Sequence, residues 1–325
     1  MENKTFVITD THFGIKQNST TWLNAQIAFF DNEFIPALKR EIENGYAANI
    51  VHCGDVFDSR SSINPYVAQK VRELFYRLQC ICDVYIVAGN HDFYSPISDE
   101  YSALNLILGD LDNVLIVKTE IFATLDSDNV CSLYVPWYKF TYEDLKQSIE
   151  KYHPQRIFCH TDLSNIDETI VPLLEGIDVF SGHIHTPFKK KHLVNLGSTF
   201  ALTFADCNSE RGYYVLDKQA CMFYAAQDII KFWRFTDEEI LCLNAEPLKN
   251  DYVEMYANKL NLLNQEYSNK ISELGNTIRN LTVIPTDSQT TNESIEFKNY
   301  DIEELCRENV PDELKEKFET IANKR

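Results

Sequence analysis

Apolar positions in this chain come in short runs that stop abruptly. "FVIT" runs into Asp10, "NIVHCG" into Asp55, "VYIVAG" into Asn90, "RIFC" into His160 and "IDVFSG" into His183. Runs this short, with little polar alternation, predict strands buried on both faces. Between the early runs the spacing changes to that of a helix. From about Thr20 to Asn44, the residues Trp22, Phe30, Phe34, Leu38 and Ile42 share one face, with Gly45 as the stop and Pro36 placed to kink or divide the helix. A second helix is predicted to open with Asn64 as its cap and Pro65 at the first helical position, with Val67, Val71, Leu74 and Leu78 on one side.

Strands alternating with helices predict an α/β fold with the helices outside. The later runs "VCSLYVPW", "HLVNLGS" and "GYYVLD" have less helix between them, which predicts mixed rather than purely parallel sheets. The pattern changes again after about Ile230. There "KFWRF", "DYVEMYAN", a polar helical stretch from about Lys259 to Gly275 and "TIRNLTVI" predict a small β-α-β unit. The expected division is a main domain over 1–230, a small capping domain over 231–290 and a helical segment over 291–325. That last segment reads as two short helices meeting near Pro311, with Leu314, Phe318 and Ile321 as an apolar stripe.

Composition narrows the function. The chain has 325 residues, 44% of them hydrophobic, enough to bury a large core. Its net charge of −19, from 30 basic and 49 acidic side chains, argues against broad electrostatic capture of nucleic acid. An anionic substrate therefore needs positive charge supplied locally. Nine cysteines lack a CxxC pair or any regular spacing, so reduced thiols and a cytoplasmic location are expected. The apolar run in "MENKTFVITD" is too brief for a signal peptide, no stretch has the length of a membrane span, and no membrane role is expected.

Each early strand ends in side chains able to bind a metal or move a proton. They are Asp10 and His12; Asp55 and Asp58; Asn90, His91 and Asp92; His160 and Asp162; and His183 and His185. Five of the eight histidines sit there. Ligands in open α/β sheets bind beyond the carboxyl ends of strands, so these loops are expected to converge. Alone, "DTH" or "CHTD" is more often a turn or helix cap, and "GHIH" could be two loop histidines. Together they form a mixed imidazole and oxygen donor set without thiolate, which suits manganese, iron or zinc. One ion uses about four protein ligands or fewer; a pair of ions sharing a carboxylate would use all of them.

DxH, GDxxD, GNHD, H and GHxH in this order are similar to the signature of calcineurin-like metallophosphoesterases. Within that superfamily "DTHFGIK", "GDVFDSR", "VPW", "SGHIHT" and "LGSTFALT" resemble the SbcD/Mre-type DNA repair nucleases, among them the nuclease subunits of tailed-phage recombination complexes. The resemblance covers about residues 1 to 230. It implies a four-layer α/β/β/α sandwich. It implies two divalent metal ions, manganese by preference, one held by Asp10, His12, Asp55 and His185 and the other by Asp55, Asn90, His160 and His183. His91 would then be the acid that protonates the departing oxygen, with Asp58 orienting it, while Asp92 is read as a cap or loop acceptor. Cys159 stands where many relatives have glycine. The implied activity is hydrolysis of DNA phosphodiesters, exonucleolytic or endonucleolytic, by metal-activated water.

DNA contacts are expected from Arg60, Ser61, Tyr94, Lys189 and Arg211, with Trp137 and Tyr138 as possible base-stacking rings. Lys189 to Lys191 more often form a solvated turn, and core packing is the commoner fate of such aromatics. The implied partners are DNA, an SbcC-like coiled-coil ATPase docked through the C-terminal stripe, and a second copy paired through the helix from Tyr66 to Leu78. The same site would equally serve a metallophosphatase or phosphodiesterase acting on a small molecule or a protein.

Overall fold

In the computed structural model, residues 2–286 are described apart from 96–97, 138–140, 166–167 and 228. Tyr138 and the whole of the predicted C-terminal helical segment therefore lie outside the described residues.

Among the described residues the strands form two mixed six-stranded sheets, with a smaller three-stranded sheet and a short hairpin. The first sheet runs Cys221–Ala225, Gly212–Leu216, Asn3–Ile8, Ala47–His52, Asp83–Val87, Val114–Val117, and its last four strands are parallel. The second runs Phe188–Lys190, Leu193–Asn195, Asp178–Gly182, Arg156–His160, Cys131–Val135, Phe122–Leu125, with its four inner strands parallel. Side chains alternate as the pleat requires. Phe6 and Ile8 face the helices, while Val7 faces the second sheet. Likewise Phe158 and Phe180 point inward and Ile157, Cys159 and Val179 outward. Between the sheets the rings of Tyr85, Tyr134, Phe158 and Phe180 stack in a column at 5.0–5.6 Å spacing. Each ring buried this way contributes roughly 1.5–3 kcal/mol. The outer face of the first sheet is covered by helices; that of the second packs Leu163, Leu174 and the half-buried Ile149. This is the expected α/β sandwich.

The long predicted helix is three pieces: Thr20–Phe29, a π-turn over Phe30–Phe34, and Ile35–Glu43 with Pro36 in its first turn. Proline offers no N–H, so the backbone widens just before it, and the Ile35 N–H reaches back to the Phe30 carbonyl. Trp22, Phe30, Phe34 and Leu38 are buried as predicted, whereas Ile42, beyond the widened turn, is exposed. The second helix, Pro65–Gln79, is capped by Asn64, whose side chain accepts from the Val67 N–H at 2.8 Å.

Residues 232–286 build a parallel three-stranded sheet, Phe232–Thr236, Tyr252–Asn258 and Asn280–Thr286, under helices Lys259–Leu262 and Gln265–Thr277. Val253, Met255, Ala257, Tyr267 and Leu274 form its core. It meets the main sandwich through Trp22, whose ring packs on Phe232 and Tyr252 and whose indole N–H donates to the Tyr252 hydroxyl at 3.2 Å.

Register does the work that positions the loops. Ile8 pairs with His52, His52 with Ile86, and His160 with Gly182. Parallel strands held level in this way finish on one edge, and every motif named above begins within a few residues of such a finish.

Candidate metal centre

Asp10, His12 and His185 come together, with ligand atoms within 4.8 Å of one another, and so do Asp55, His160 and His183. Asp55 stands between the groups: its Oδ2 is 3.8 Å from His12 Nε2 and 3.3 Å from His160 Nε2. Asn90 Oδ1 lies 3.0 Å from both His160 Nε2 and His183 Nδ1. Four of these residues have left-handed backbone, Asp10 at φ 48°, His12 at 45°, Asp55 at 54° and His183 at 82°. Such conformations cost about 1–3 kcal/mol each and persist where the surroundings over-determine them.

Those surroundings are visible. Asp92 is wholly buried and its carboxylate accepts from the N–H groups of Asp55, Val56, Phe57 and Gly89 at 2.9–3.3 Å. It ties the second motif to the third. Burial and the charge of Asp55 push its pKa up to about 7, against the four N–H groups, which favour the ionised form. Glycine before Asn90 and before His183 has a steric reason: a Cβ on Gly89 would overlap the Asp55 carboxylate, and one on Gly182 would overlap Thr9 and Asp10. Thr9 donates to Asp10 Oδ2 at 2.5 Å and its own N–H is held by Thr199 Oγ1 at 3.0 Å.

Asp10, His12, Asp55 and His160 are buried, while Asn90, His91, His183 and His185 are half-buried and form the open side. Burial pushes both carboxylates upward, but neighbouring imidazoles hold Asp10 and Asp55 below the ordinary range. Burial works against a charged His12 as well; the carboxylates of Asp10, Asp58 and Asp55 close to its ring outweigh it and raise His12 to about 10. His160 is raised to about 9 against its burial by the charge of Asp55. His183 and His185 are lowered by burial. The site thus concentrates negative charge that imidazole protons balance.

The donors fit divalent cations. Both ring nitrogens of His12 are buried without a hydrogen-bond partner. Its Nε2 is 3.8 Å from Asp10 Oδ1, as is His185 Nε2. That is too long for hydrogen bonds but near the separation of two donors each bonded at about 2.0–2.2 Å to one ion. His160 Nδ1 donates to the Cys53 carbonyl at 2.7 Å, which leaves Nε2 as the ligand atom.

His91 sits on the open side, its ring 5.0 Å from that of His12. Its Nδ1 is 2.6 Å from the Asp58 carbonyl oxygen, which can only accept, so Nδ1 carries the proton and Nε2 is free to take or give one. Asp58 thus meets His91 through its backbone. Its main chain orients His91, while its carboxylate lies 3.5 Å from His12 Nδ1.

Arg60 is half-buried and Ser61 exposed in the loop after Asp58, and Tyr94, two residues beyond Asp92, is 62% exposed. All three are near the open side in sequence. Two expected DNA contacts are placed elsewhere. Lys189, level with Phe158 and Phe180 in the middle of the second sheet, lines a crevice with Arg156 and Asp178, at the opposite end of these strands from His160 and His183. Arg211 is buried, paired with Asp206 at 2.9 Å and bonded to the His185 carbonyl, so no phosphate can reach it. Trp137 packs on the His183 ring at 4.6 Å and is 38% exposed. Cys159 points away from His160 into the outer core, where burial raises its thiol to about 11. Sequence reasoning assigned no site role to Thr9, Asn195 or Thr199, although Thr199 falls within "LGSTFALT" and the other two are polar residues at strand ends.

A calcineurin-like phosphoesterase profile matches residues 4–187, and the chain belongs to that family. Exonuclease subunit 1 of Enterobacteria phage T4 is 24% identical over 223 residues, which cover 65% of this chain and 63% of the phage protein. The match therefore spans less than two thirds of that relative's length. Among solved structures, the Pseudomonas putida nuclease MPE has 16% identity and a TM-score of 0.29 over 58% of this chain and 66% of that one. The Bacillus subtilis calcineurin-like phosphoesterase YfkN has 14% identity and a TM-score of 0.38 over 69% and 88%. A Staphylococcus aureus protein named as a 5′-nucleotidase has 14% identity and a TM-score of 0.42 over 70% and 53%. No helix among the described residues is long and apolar enough to cross a membrane.

Proposed function

We propose that this phosphoesterase is a DNA nuclease using two divalent ions, manganese by preference, and that it serves as the nuclease subunit of an SbcCD-like recombination or repair complex beside a coiled-coil ATPase. The observation that carries the metal reading is Asp55, within 3.8 Å of an imidazole from each of two ligand groups. The nuclease reading rests on the 24% identity to a phage exonuclease subunit.

Asp10, His12, Asp55 and His185 would hold one ion and Asp55, Asn90, His160 and His183 the other. Bound there, divalent ions would polarise a phosphoryl oxygen and ease deprotonation of water. The protein's own groups do the rest. Asp58's carbonyl keeps the His91 proton on Nδ1, which leaves Nε2 to carry a second proton to the departing oxygen. His183 and His185 remain neutral and able to ligate because burial lowers them. Arg60, Ser61 and Tyr94 are the candidate contacts for the DNA backbone.

Cleavage of end-labelled single- and double-stranded DNA, compared with p-nitrophenyl phosphates in manganese, is the test. DNA cleavage is expected, with His91→Asn keeping both ions but slowing turnover by about 100-fold or more. Activity on monoesters alone would instead make the chain a phosphatase.

A further inference from the structure

The loop between Gly182 and Phe188 carries His183 and His185, yet its carbonyls have no place in either flanking strand. They are taken up instead by a clamp from the segment that follows. Asn195 Nδ2 donates to the carbonyl of Ile184 at 2.7 Å and to that of Thr186 at 2.8 Å. The carbonyl between them, on His185, accepts from the Ser198 N–H at 3.1 Å and from Arg211 Nη1. Arg211 is held in turn by Asp206, whose other oxygen accepts from the N–H groups of Leu202 and Thr203 at 2.9 and 3.1 Å. Asn195, Ser198, Asp206 and Arg211 are all buried. Gly197, at φ +71°, leaves room: a Cβ there would stand 2.8 Å from the His185 oxygen and 3.0 Å from Arg211 Nη1.

We infer that Arg211 and Asn195 are positioning residues for the Asp10, His12 and His185 cation site, an inference that rests on the metal reading above. A guanidinium within a buried ion pair fixes one carbonyl, and a carboxamide spans its two neighbours, so the backbone of His185 is held from both sides. A hydrogen bond from a charged donor is stronger than one from a neutral donor. The Asp55, Asn90, His160 and His183 group is anchored in part elsewhere. His160 rests on the Cys53 carbonyl, and the His183 N–H donates to the Asp10 carboxylate at 3.2 Å. The clamp therefore bears most directly on the site that holds His185 and less on the other, whose His160 rests on Cys53.

Manganese titration of the full chain, followed by calorimetry and by the paramagnetic signal of free ion, tests this alongside imidazole nitrogen–proton spectra of the metal-free protein. Arg211→Met and Asn195→Ala are each expected to weaken one of two sites by about ten-fold or more and the other by clearly less. Arg211→Lys, which keeps a charged donor, is expected to recover part of the loss. In the metal-free spectra the His185 ring signals should move while those of His160 stay. Equal weakening of both sites, no weakening, or an unmoved His185 would overturn the inference. Should Arg211→Met fail to fold because Asp206 is left buried and unpaired, Asn195→Ala decides. A wild-type chain that takes up no manganese would defeat the metal reading itself, and the metal-free spectra would still judge the clamp.

Discussion

His52 lies beneath the first motif, fully buried, with Nε2 2.9 Å from the Thr11 hydroxyl and Nδ1 without a partner. Burial drives its pKa down to about 3, so the folded chain holds it neutral. The unfolded chain protonates it near 6.5. Its contribution is therefore complete above about pH 6.5 and is lost as the pH falls toward 3, by about 1.4 kcal/mol per unit. Asp92, raised to about 7, adds a slope of the opposite sign over the same range, so the difference between wild-type and His52→Gln chains in urea unfolding of the metal-free protein between pH 5 and 7 should carry the His52 slope; parallel curves would contradict the assignment. The contrast with His12 and His160 is instructive. All three are buried, and only the two that face carboxylates keep a raised pKa.

At the scale of elements, Asp92 governs more of the site than any ligand does, because the loop carrying Asp55 has no other acceptor for three successive N–H groups. Leaving buried N–H groups unsatisfied costs about 1–3 kcal/mol each. Asp92→Ala strands four, a loss comparable with the whole stability of a domain, about 5–15 kcal/mol. The variant is expected to unfold several degrees lower or not to fold, as read by thermal circular dichroism. A wild-type melting curve would mean that water replaces the carboxylate. The motif histidines and carboxylates were legible in the sequence because a strand end followed by a tight loop leaves a strong local pattern. The clamp was not, since Asn195 and Arg211 act on carbonyls, and a carbonyl leaves no trace in residue identity.

For the whole molecule, a net charge of −19 sets the terms of any encounter with DNA. Backbone affinity normally comes from lysine and arginine displacing counterions. Here Lys189 lines a separate crevice and Arg211 is buried, which leaves Arg60 of the expected basic contacts, so under the proposed nuclease reading the two cations would supply most of the attraction. Fluorescence anisotropy with the His91→Asn chain is expected to show DNA binding in manganese and at least about a ten-fold loss with a chelator at fixed ionic strength. Undiminished binding after chelation would point to a basic surface elsewhere.

What the sequence determined by itself was the layered fold, the order of motifs and the kinds of donor gathered at the strand ends. Those follow from hydrophobic spacing and from the few side chains that bind metals, both local properties. Only the tertiary structure decided that Asp58 reaches His91 through its backbone, that Arg211 turns inward and that Lys189 faces away. A charged side chain can reach several ångströms in any direction, and which neighbour it meets depends on strands paired from distant parts of the chain.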